Sequence, residues 1–550
     1  MENICTEDPS ESSLKNVHML IFIPILLLLI FAVVIGYFGR YRWSVGTSWL
    51  ITAGSVLSVW IFMIVLRVRL PQEVQITDWS PLQAGAQVLI FNLSAKTWLF
   101  SFLLVSLLSG VILTDTVRLG QGNNLSTWTG AMVLTAMGLF SIYSQTLLAV
   151  ILTWTLIDVV EFGLLFRVIN HSKVHEAAIQ EFSTRIIGTI LIMCGMVFSK
   201  STATIAEHSQ YANVIYLLIL FGTTFRLGVF PLHVPLTANL PIRRSLGTLL
   251  RFVAPLSALS FLVQVPSQFD YATINNILFF LALITALFGA ISWASSKNEL
   301  IGRPFWLLSF YALIIISFVR GQTEAVIALS INMAVYGGIL FFSSYSSRIV
   351  NVLGGVCLLS MIGIPFTSSA PIWFGLLDEN GLLNIITMIP IFLLGLGFLR
   401  HINRVREQKK SREPWMLLFY FIGLIFLAVI PFITIIWRFQ EVSQRFDLVP
   451  PVILLVGIAV FYGIFHSKFG KVLLEQPGIQ KLMHSAKNVG AFASGFSKFD
   501  WFFGLIQRIF AVFEKPLHFF IRILEGDGGF LWGLLILALI ASIMIGKMVP

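Results

Sequence analysis

Hydrophobic runs of about twenty residues follow one another along almost the whole chain. An α-helix needs a run of this length to cross the hydrocarbon core of a bilayer. The pattern therefore predicts an all-α polytopic membrane protein with about sixteen transmembrane helices. The predicted spans are residues 18–39, 47–66, 97–114, 127–144, 146–168, 184–200, 212–234, 245–265, 273–294, 304–319, 323–346, 350–375, 382–400, 415–437, 451–467 and 529–547.

Two stretches depart from this run of apolar helices. Residues 71–96 are mixed in polarity and rich in β-prone side chains, which predicts a small hairpin on the outer face. In residues 499–524, Phe and Ile alternate with charged residues at helical spacing, and Pro516 marks a kink. We expect this segment to be an amphipathic helix along the inner surface, before the last span.

Two apolar runs are interrupted at their centres. The first, FGTTFRLGVFPLHVPL, contains Gly228, Pro231 and Pro235, and the second, LLSMIGIPFTSSAPIWFGLL, contains Gly363, Pro365 and Pro371. Proline removes a helix hydrogen bond and clashes with the preceding turn, so each run is predicted to be a helix broken in mid-membrane. Broken helices at corresponding places in two halves indicate an ion path built on internal repeats.

The domain organisation follows from these breaks. We predict two inverted five-helix repeats, residues 127–265 and 273–400, each with one broken helix. Residues 1–126 hold the N-terminal spans and the hairpin, and residues 401–550 hold the C-terminal spans and the amphipathic helix.

Composition excludes several function classes. Hydrophobic residues make up 57% of the chain and charged residues 11%, which fits a membrane protein. The three cysteines have no spacing typical of a disulfide framework, an iron–sulfur centre or a zinc site, and no Gly-rich nucleotide loop follows a strand pattern. We therefore expect no metal, no cofactor and no redox centre. The net charge of +10 does not indicate nucleic-acid binding, because the basic residues lie mostly in short loops between apolar spans.

Loop charge predicts the orientation in the membrane. Basic residues are most frequent in alternate loops, and these loops face the cytoplasm in membrane proteins. With the N-terminus outside, the inside loops carry Arg40, Arg42, Arg167, Lys173, Arg243, Arg244, Lys297, Arg303, Arg348, Arg400, Arg404, Arg406, Lys409, Lys410 and Arg412. The acidic start of the chain also favours the outside, and the first run is too long for a cleaved signal peptide.

The broken segments resemble the antiporter-like membrane subunits of respiratory NADH:quinone oxidoreductase, membrane-bound hydrogenases and multisubunit sodium/proton antiporters. The seventh-span motif of that family, K-x-x-x-x-P-L/F-H/Q, overlays RLGVFPLHVPLTANLPIRRSLGTLLRFVAP without a gap. Arg226 falls on the family lysine, Pro231 on its proline, His233 on the His/Gln position and Arg251 on the eighth-span histidine. IPFTSSAPIW is similar to the family's twelfth-span motif.

This resemblance implies a subunit of a larger energy-converting complex that contributes to proton or cation translocation. A bacterial inner membrane would then be its location, and other membrane subunits would be its partners. The chain departs from the family at the positions that carry protons. Thr155 takes the place of the fifth-span glutamate, Gly337 of the eleventh-span lysine and Trp373 of the twelfth-span lysine. Arginine at positions 226 and 251 stays protonated, so it cannot act as a relay that releases its proton. A degenerate structural subunit is therefore an alternative.

Two acids in the fifth span, Asp158 and Glu161, are candidates for a residual path, because an intramembrane carboxylate is a functional-site hypothesis by default. Either acid could instead form an ion pair with Arg226 or Arg251 that only neutralises buried charge. His233 could bridge water behind the proline break, or it could be a satisfied interior residue. A rival function from another class is a stand-alone secondary transporter in which Arg226 and Arg251 bind an anion.

Overall fold

A computed structural model describes residues 19–41, 43–76, 89–119, 124–168, 172–198, 212–230, 232–233, 243–265, 272–345, 347–377, 381–404, 413–443 and 447–466, with Gly504 and Arg508. Pro231, Pro235, nearly all of the predicted amphipathic helix 499–524 and the last predicted span, 529–547, lie outside these residues. The described helices and strands all belong to one compact unit, Met1–His484.

The described elements are almost all helices. The first part of the chain forms α1 (Ile23–Tyr41), α2 (Val45–Arg67), β1 (Gln72–Ile76), β2 (Leu89–Leu93), α3 (Ala95–Thr114), α4 (Asn124–Tyr143), α5 (Leu147–Val168), α6 (Ser172–Phe198), α7 (Ala212–Leu227) and α8 (Arg244–Gln264). The second part forms α9 (Ala272–Ser295), α10 (Glu299–Val319), α11 (Thr323–Phe342), α12 (Arg348–Met361), α13 (Ile372–Leu376), α14 (Gly381–Ile402), α15 (Pro414–Trp437), α16 (Phe439–Ser443) and α17 (Val449–His466).

Twelve of the described helices are long and apolar enough to cross a membrane. The prediction of an all-α polytopic membrane protein is therefore confirmed, and the chain is an integral membrane protein. The expected count of about sixteen spans is not confirmed. Three further apolar helices, Val214–Leu227, Arg348–Met361 and Val449–Ile464, are shorter than a full span.

Two helices begin well before the membrane spans predicted for them. The span expected at 184–200 belongs to α6, which begins at Ser172, and the span expected at 304–319 belongs to α10, which begins at Glu299. Asn298 caps α10, because its Oδ1 accepts the backbone N–H of Ile301 at 2.7 Å. Both helices start with polar turns, which a hydropathy pattern assigns to loops.

The two strands form an antiparallel pair in which Gln72 is opposite Leu93. Phe91 of β2 stacks on Phe140 of α4 at 4.8 Å and meets Phe22 edge-on at 5.6 Å. Aromatic packing therefore fixes β2 against the helices. Its position on the outer face stays a prediction.

Three helices form the centre of the described bundle. α3, α8 and α11 are mostly apolar, and they are buried on every side in their most hydrophobic windows. A helix that is hydrophobic all round has no face for water or headgroups, so it packs inside. By contrast, α1, α2, α5 and α6 expose large apolar side chains on one face, as helices at the border of a membrane bundle do.

Both predicted helix breaks fall where regular helix ends. α7 ends at Leu227, and Gly228 follows with a φ of 78°. α12 ends at Met361, Gly363 has a φ of 81°, and turns continue until α13 begins at Ile372. This left-handed backbone suits glycine, which has no Cβ to clash. The helices of 127–265 are α4 to α8, and the inverted relation of the two repeats stays a prediction.

α6 and α7 approach each other through two glycines. A Cβ on Gly188 would lie 2.7 Å from the carbonyl oxygen of Gly222, and a Cβ on Gly222 would lie 2.8 Å from that of Gly188. Small residues at such a crossing let two backbones come close in a membrane. The crossing lies one helical turn from Arg185 on α6 and one turn from Arg226 on α7.

We expect Gly188→Ala to lower the midpoint of thermal unfolding in detergent, because the clashing atom is backbone and cannot rotate away. The cost of overpacking is about 1–3 kcal/mol. Gly163→Ala in α5 is the matched control, since no atom lies within 4 Å of the added Cβ. Equal unfolding midpoints for the two variants would contradict the close crossing.

Candidate functional site

A buried ion pair joins α5 to the end of α7. The two terminal nitrogens of Arg226 donate to the two carboxylate oxygens of Asp158 at 2.7 and 2.8 Å. Both residues are 2% exposed. The guanidinium also lies 4.6 Å from the ring centre of Trp154. This two-bond geometry is the strongest arrangement for an arginine and a carboxylate, and the indole face adds attraction for the cation.

Arg185 of α6 is the second basic residue of this site. It contacts Glu161 of α5, it donates to Glu181 at 2.8 Å, and it lies 3.5 Å from Asp158. Sequence reasoning missed Glu181 because the span was expected to begin at 184, and it missed Arg185, which lies inside that span, because its partner Glu161 is on another helix. A signal was present, since the two residues have the i, i+4 spacing of a helical ion pair.

Thr155 does not face the site. Its side chain is exposed, and its hydroxyl donates to the carbonyl of Ile151 in the same helix at 2.8 Å. Three residues further on, Asp158 is buried against Arg226. The chain therefore keeps a fifth-span carboxylate opposite its seventh-span base, at Asp158 rather than at position 155.

Arg251 of α8 lies near this cluster and is 4% exposed. It donates to the carbonyl of Gly247 at 2.7 Å, and it interacts electrostatically with Glu161 and Glu181. We define the charge cluster by its six residues, Asp158, Glu161, Glu181, Arg185, Arg226 and Arg251. Its three carboxylates and three guanidinium groups cancel in formal charge, so the site needs no further ion for neutrality.

His233 follows the first break and is 4% exposed. Its backbone N–H donates to the carbonyl of Gly228 at 3.1 Å, and its ring lies 5.6 Å from that of Phe225. The break therefore places an imidazole beyond the end of α7, seven residues after Arg226. Whether it relays protons stays a proposal.

Aromatic rings pack around Gly337 of α11. A Cβ added to Gly337 would lie 2.8 Å from Nε1 of Trp306, so the indole occupies the space beside this residue. Trp306 packs against neighbouring rings at centroid distances between 4.7 and 6.3 Å. We define the aromatic cluster as Trp293, Trp306, Phe310, Phe341 and Phe398, all buried.

The second break is lined by neutral polar groups. Asn332, in a π-helical turn of α11, donates to the carbonyl of Met361 at 3.0 Å and accepts from Ser369. Tyr336, in the same turn, donates to Ser360. These bonds satisfy unwound backbone and hydroxyl groups without an acidic or basic side chain.

Three arginines that were counted as inside-loop charges form ion pairs or hydrogen bonds with neighbouring helices. Arg243 binds Asp115 at 3.0 Å, and Arg244 binds Glu299 at 2.8 Å. Arg303 lies in α10, is 3% exposed and donates to Thr248 at 2.7 Å. Some of the basic residues that predicted the topology therefore also connect helix ends through ion pairs and hydrogen bonds.

The pairing in the charge cluster yields a prediction. We expect Asp158→Asn to reduce the yield of folded protein and its unfolding midpoint, because it strands the buried Arg226 at a cost of about 3–5 kcal/mol. Adding Arg226→Gln should restore part of the loss. Adding Arg251→Gln should not, since Arg251 interacts with Glu161 and Glu181 instead. If Arg251→Gln restores the loss in Asp158→Asn and Arg226→Gln does not, this assignment of partners is contradicted.

Comparisons with known proteins come from structure alone, because no family model and no curated protein matches the sequence. A chain in the structure of the Mrp complex from Dietzia sp. DQ12-45-1b matches with a TM-score of 0.71 and 14% identity. The match covers 97% of this chain and 63% of that chain, so this protein spans less than two thirds of that chain's length.

A chain of respiratory complex I from Thermus thermophilus with bound NADH matches with a TM-score of 0.59 and 14% identity. This match covers 76% of the present chain and 96% of the other. Identity at this level shows the fold and not the activity. The chain therefore shares its fold with chains of an Mrp complex and of respiratory complex I.

Proposed function

We propose that this chain is a non-redox membrane subunit of a larger energy-converting complex, and that fixed ion pairs take the place of a proton relay in it. Its fold supports this proposal, because both similar chains come from complexes. The bacterial inner membrane and a cytoplasmic side for the basic loops are part of the same proposal.

The observation that carries the proposal is the pairing of Arg226 with Asp158. A relay needs a group that gives up its proton in one state and regains it in another. The guanidinium stays protonated in proteins, and here both of its terminal nitrogens are bound to one carboxylate. A buried pair of this kind holds two helices together but does not pass a proton.

The aromatic cluster supports the same interpretation for the second half. Proton transfer through hydrocarbon needs water or titratable groups near the membrane centre. Trp306 is 0% exposed and packs directly against Gly337, the position aligned with the family's eleventh-span lysine. Large rings in close contact exclude water from this place.

A second candidate is a reduced proton path confined to the first half. Oε1 of Glu161 is buried and makes no hydrogen bond to any described residue, although Oε2 contacts Arg185. A buried carboxylate oxygen without a hydrogen-bond partner among the described residues is suited to exchange a proton with water. Asp158, Glu161 and His233 would be the groups of such a path.

The stand-alone anion transporter has less support. Asp158 occupies both terminal nitrogens of Arg226, and Arg251 donates to a backbone carbonyl. An incoming anion would have to displace a carboxylate from a buried pair, which leaves that carboxylate uncompensated.

Membership of a complex is tested by gentle solubilisation of the native membrane and native mass spectrometry. We expect a particle much heavier than the 61.5 kDa chain, with other membrane subunits and with at least one hydrophilic partner. A stable, active monomer that binds anions saturably would contradict the proposal and favour the transporter.

The fixed-pair proposal is tested by proton flux in liposomes that contain the intact complex. We expect Glu161→Gln and His233→Ala in this subunit to leave flux per assembled complex unchanged, because neither group carries a proton in the leading proposal. If either variant loses proton flux while the subunit composition is unchanged, the fixed-pair proposal is contradicted and the first-half proton path is favoured. Asp158→Asn and Glu161→Gln are interpreted only after assembly is verified, since each also breaks a buried ion pair.

A further inference from the structure

A cleft opens where the ends of α2, α3, α11 and α15 meet. Its volume is about 150 Å³, many times the roughly 10–15 Å³ that admits one water molecule. Its charged walls come from Arg67, Lys96, Glu324, Arg438 and Glu441. None of these residues belongs to the charge cluster of the candidate functional site.

Arg438 has an unused donor in this cleft. Its Nη2 contacts Glu324, and its Nε lies 3.6 Å from Glu441. The remaining terminal nitrogen, Nη1, is buried and has no hydrogen-bond partner among the described residues, and the side chain is only 9% exposed. A buried guanidinium N–H without an acceptor is costly, so an acceptor at this position would stabilise the protein.

Two further bases of the cleft have no acid partner. Among the described residues, neither Arg67 nor Lys96 forms an ion pair, and the guanidinium of Arg67 lies 5.3 Å from the ring centre of Trp98. The lining therefore has three positive and two negative groups, with one net positive charge. Several N–H donors and this charge favour an anion with more than one oxygen acceptor.

The cleft lies at the ends of its helices. Arg67 is the last residue of α2, Lys96 is in the first turn of α3, and Arg438 directly follows α15. Trp98 and Trp437 meet edge-on at 4.7 Å beside it. Because the ends of membrane-spanning helices reach the lipid headgroups, these bases are within reach of an anionic headgroup. On the orientation predicted from loop charge, this is the outer face.

The helices beside the cleft also carry exposed apolar side chains. On α2, Ile61 is 57% and Val65 is 54% exposed, and on α15, Ile436 is 73% exposed. Ile61 precedes Arg67 by six residues, and Val65 and Ile436 precede Arg67 and Arg438 by two residues each. A ligand that fits both surfaces has an anionic oxygen-rich head and an apolar tail.

We propose that this cleft binds the phosphate group of an anionic phospholipid, with Arg67, Lys96 and Nη1 of Arg438 as its donors. The acyl chains then lie along the exposed apolar faces of α2 and α15. The site is independent of any proton path, so its test is separate from that of the proposed function.

The test measures binding of phosphatidylglycerol to the delipidated, purified protein, by native mass spectrometry and by the shift in thermal unfolding midpoint. Lys96→Gln removes an exposed base of the cleft, and Arg69→Gln is the matched control. Arg69 is an exposed base at the same end of α2 that does not line the cleft. Neither residue is in an ion pair among the described residues, so we expect both variants to fold as the unaltered chain does.

We expect Lys96→Gln to weaken phosphatidylglycerol binding about tenfold, as loss of one charge-assisted hydrogen bond does, and Arg67→Gln with Lys96→Gln to abolish it. Arg69→Gln should bind normally. Diacylglycerol with the same acyl chains, which lacks the phosphate, should not stabilise the protein. Unchanged lipid binding in the double variant would overturn the site. Stabilisation by inorganic phosphate but not by the lipid would overturn the phospholipid as its ligand.

Discussion

The ion pair between Arg226 and Asp158 determines the arrangement of the first half. A guanidinium without a partner in the middle of a membrane protein is expensive, so α7 must lie where α5 offers a carboxylate. The crossing of α6 and α7 at Gly188 and Gly222 then brings Arg185 to the same acids. Three helices are thus held in one arrangement by charges that neutralise each other.

The two halves have similar interruptions but different chemistry. The first break follows a helix whose last turn carries a permanent charge, and the second is lined by hydroxyls, an amide and the indole of Trp373. Charge needs partners at fixed distances, whereas rings need only close packing. The first half is therefore sensitive to single side chains, and the second half depends on the total volume that its rings occupy.

The sequence predicted the helical class well, because the length of an apolar run is a local property. It predicted the helix breaks because proline and glycine change the conformation and hydrogen bonding of the backbone where they occur. It did not predict the partners of the buried charges. Arg185 lies inside the predicted span 184–200, but its partner Glu161 is on another helix. Thr155 and Asp158 differ in burial although they are three residues apart. Which side of a helix meets another helix depends on tertiary packing, and a helix buried on all sides has little hydrophobic asymmetry to show it.

The arginines at the helix ends limit how the molecule can move. Arg118 donates to the carbonyl of Phe342 at 2.8 Å, and Arg244 donates to those of Phe341 and Ser343 at 3.1 and 2.6 Å. These bonds join segments from before and within the first predicted repeat to the end of α11 in the second. A rocking motion of one repeat against the other would break all of them together. Residues before α4 and at the start of α8 are therefore fastened to the same end of α11.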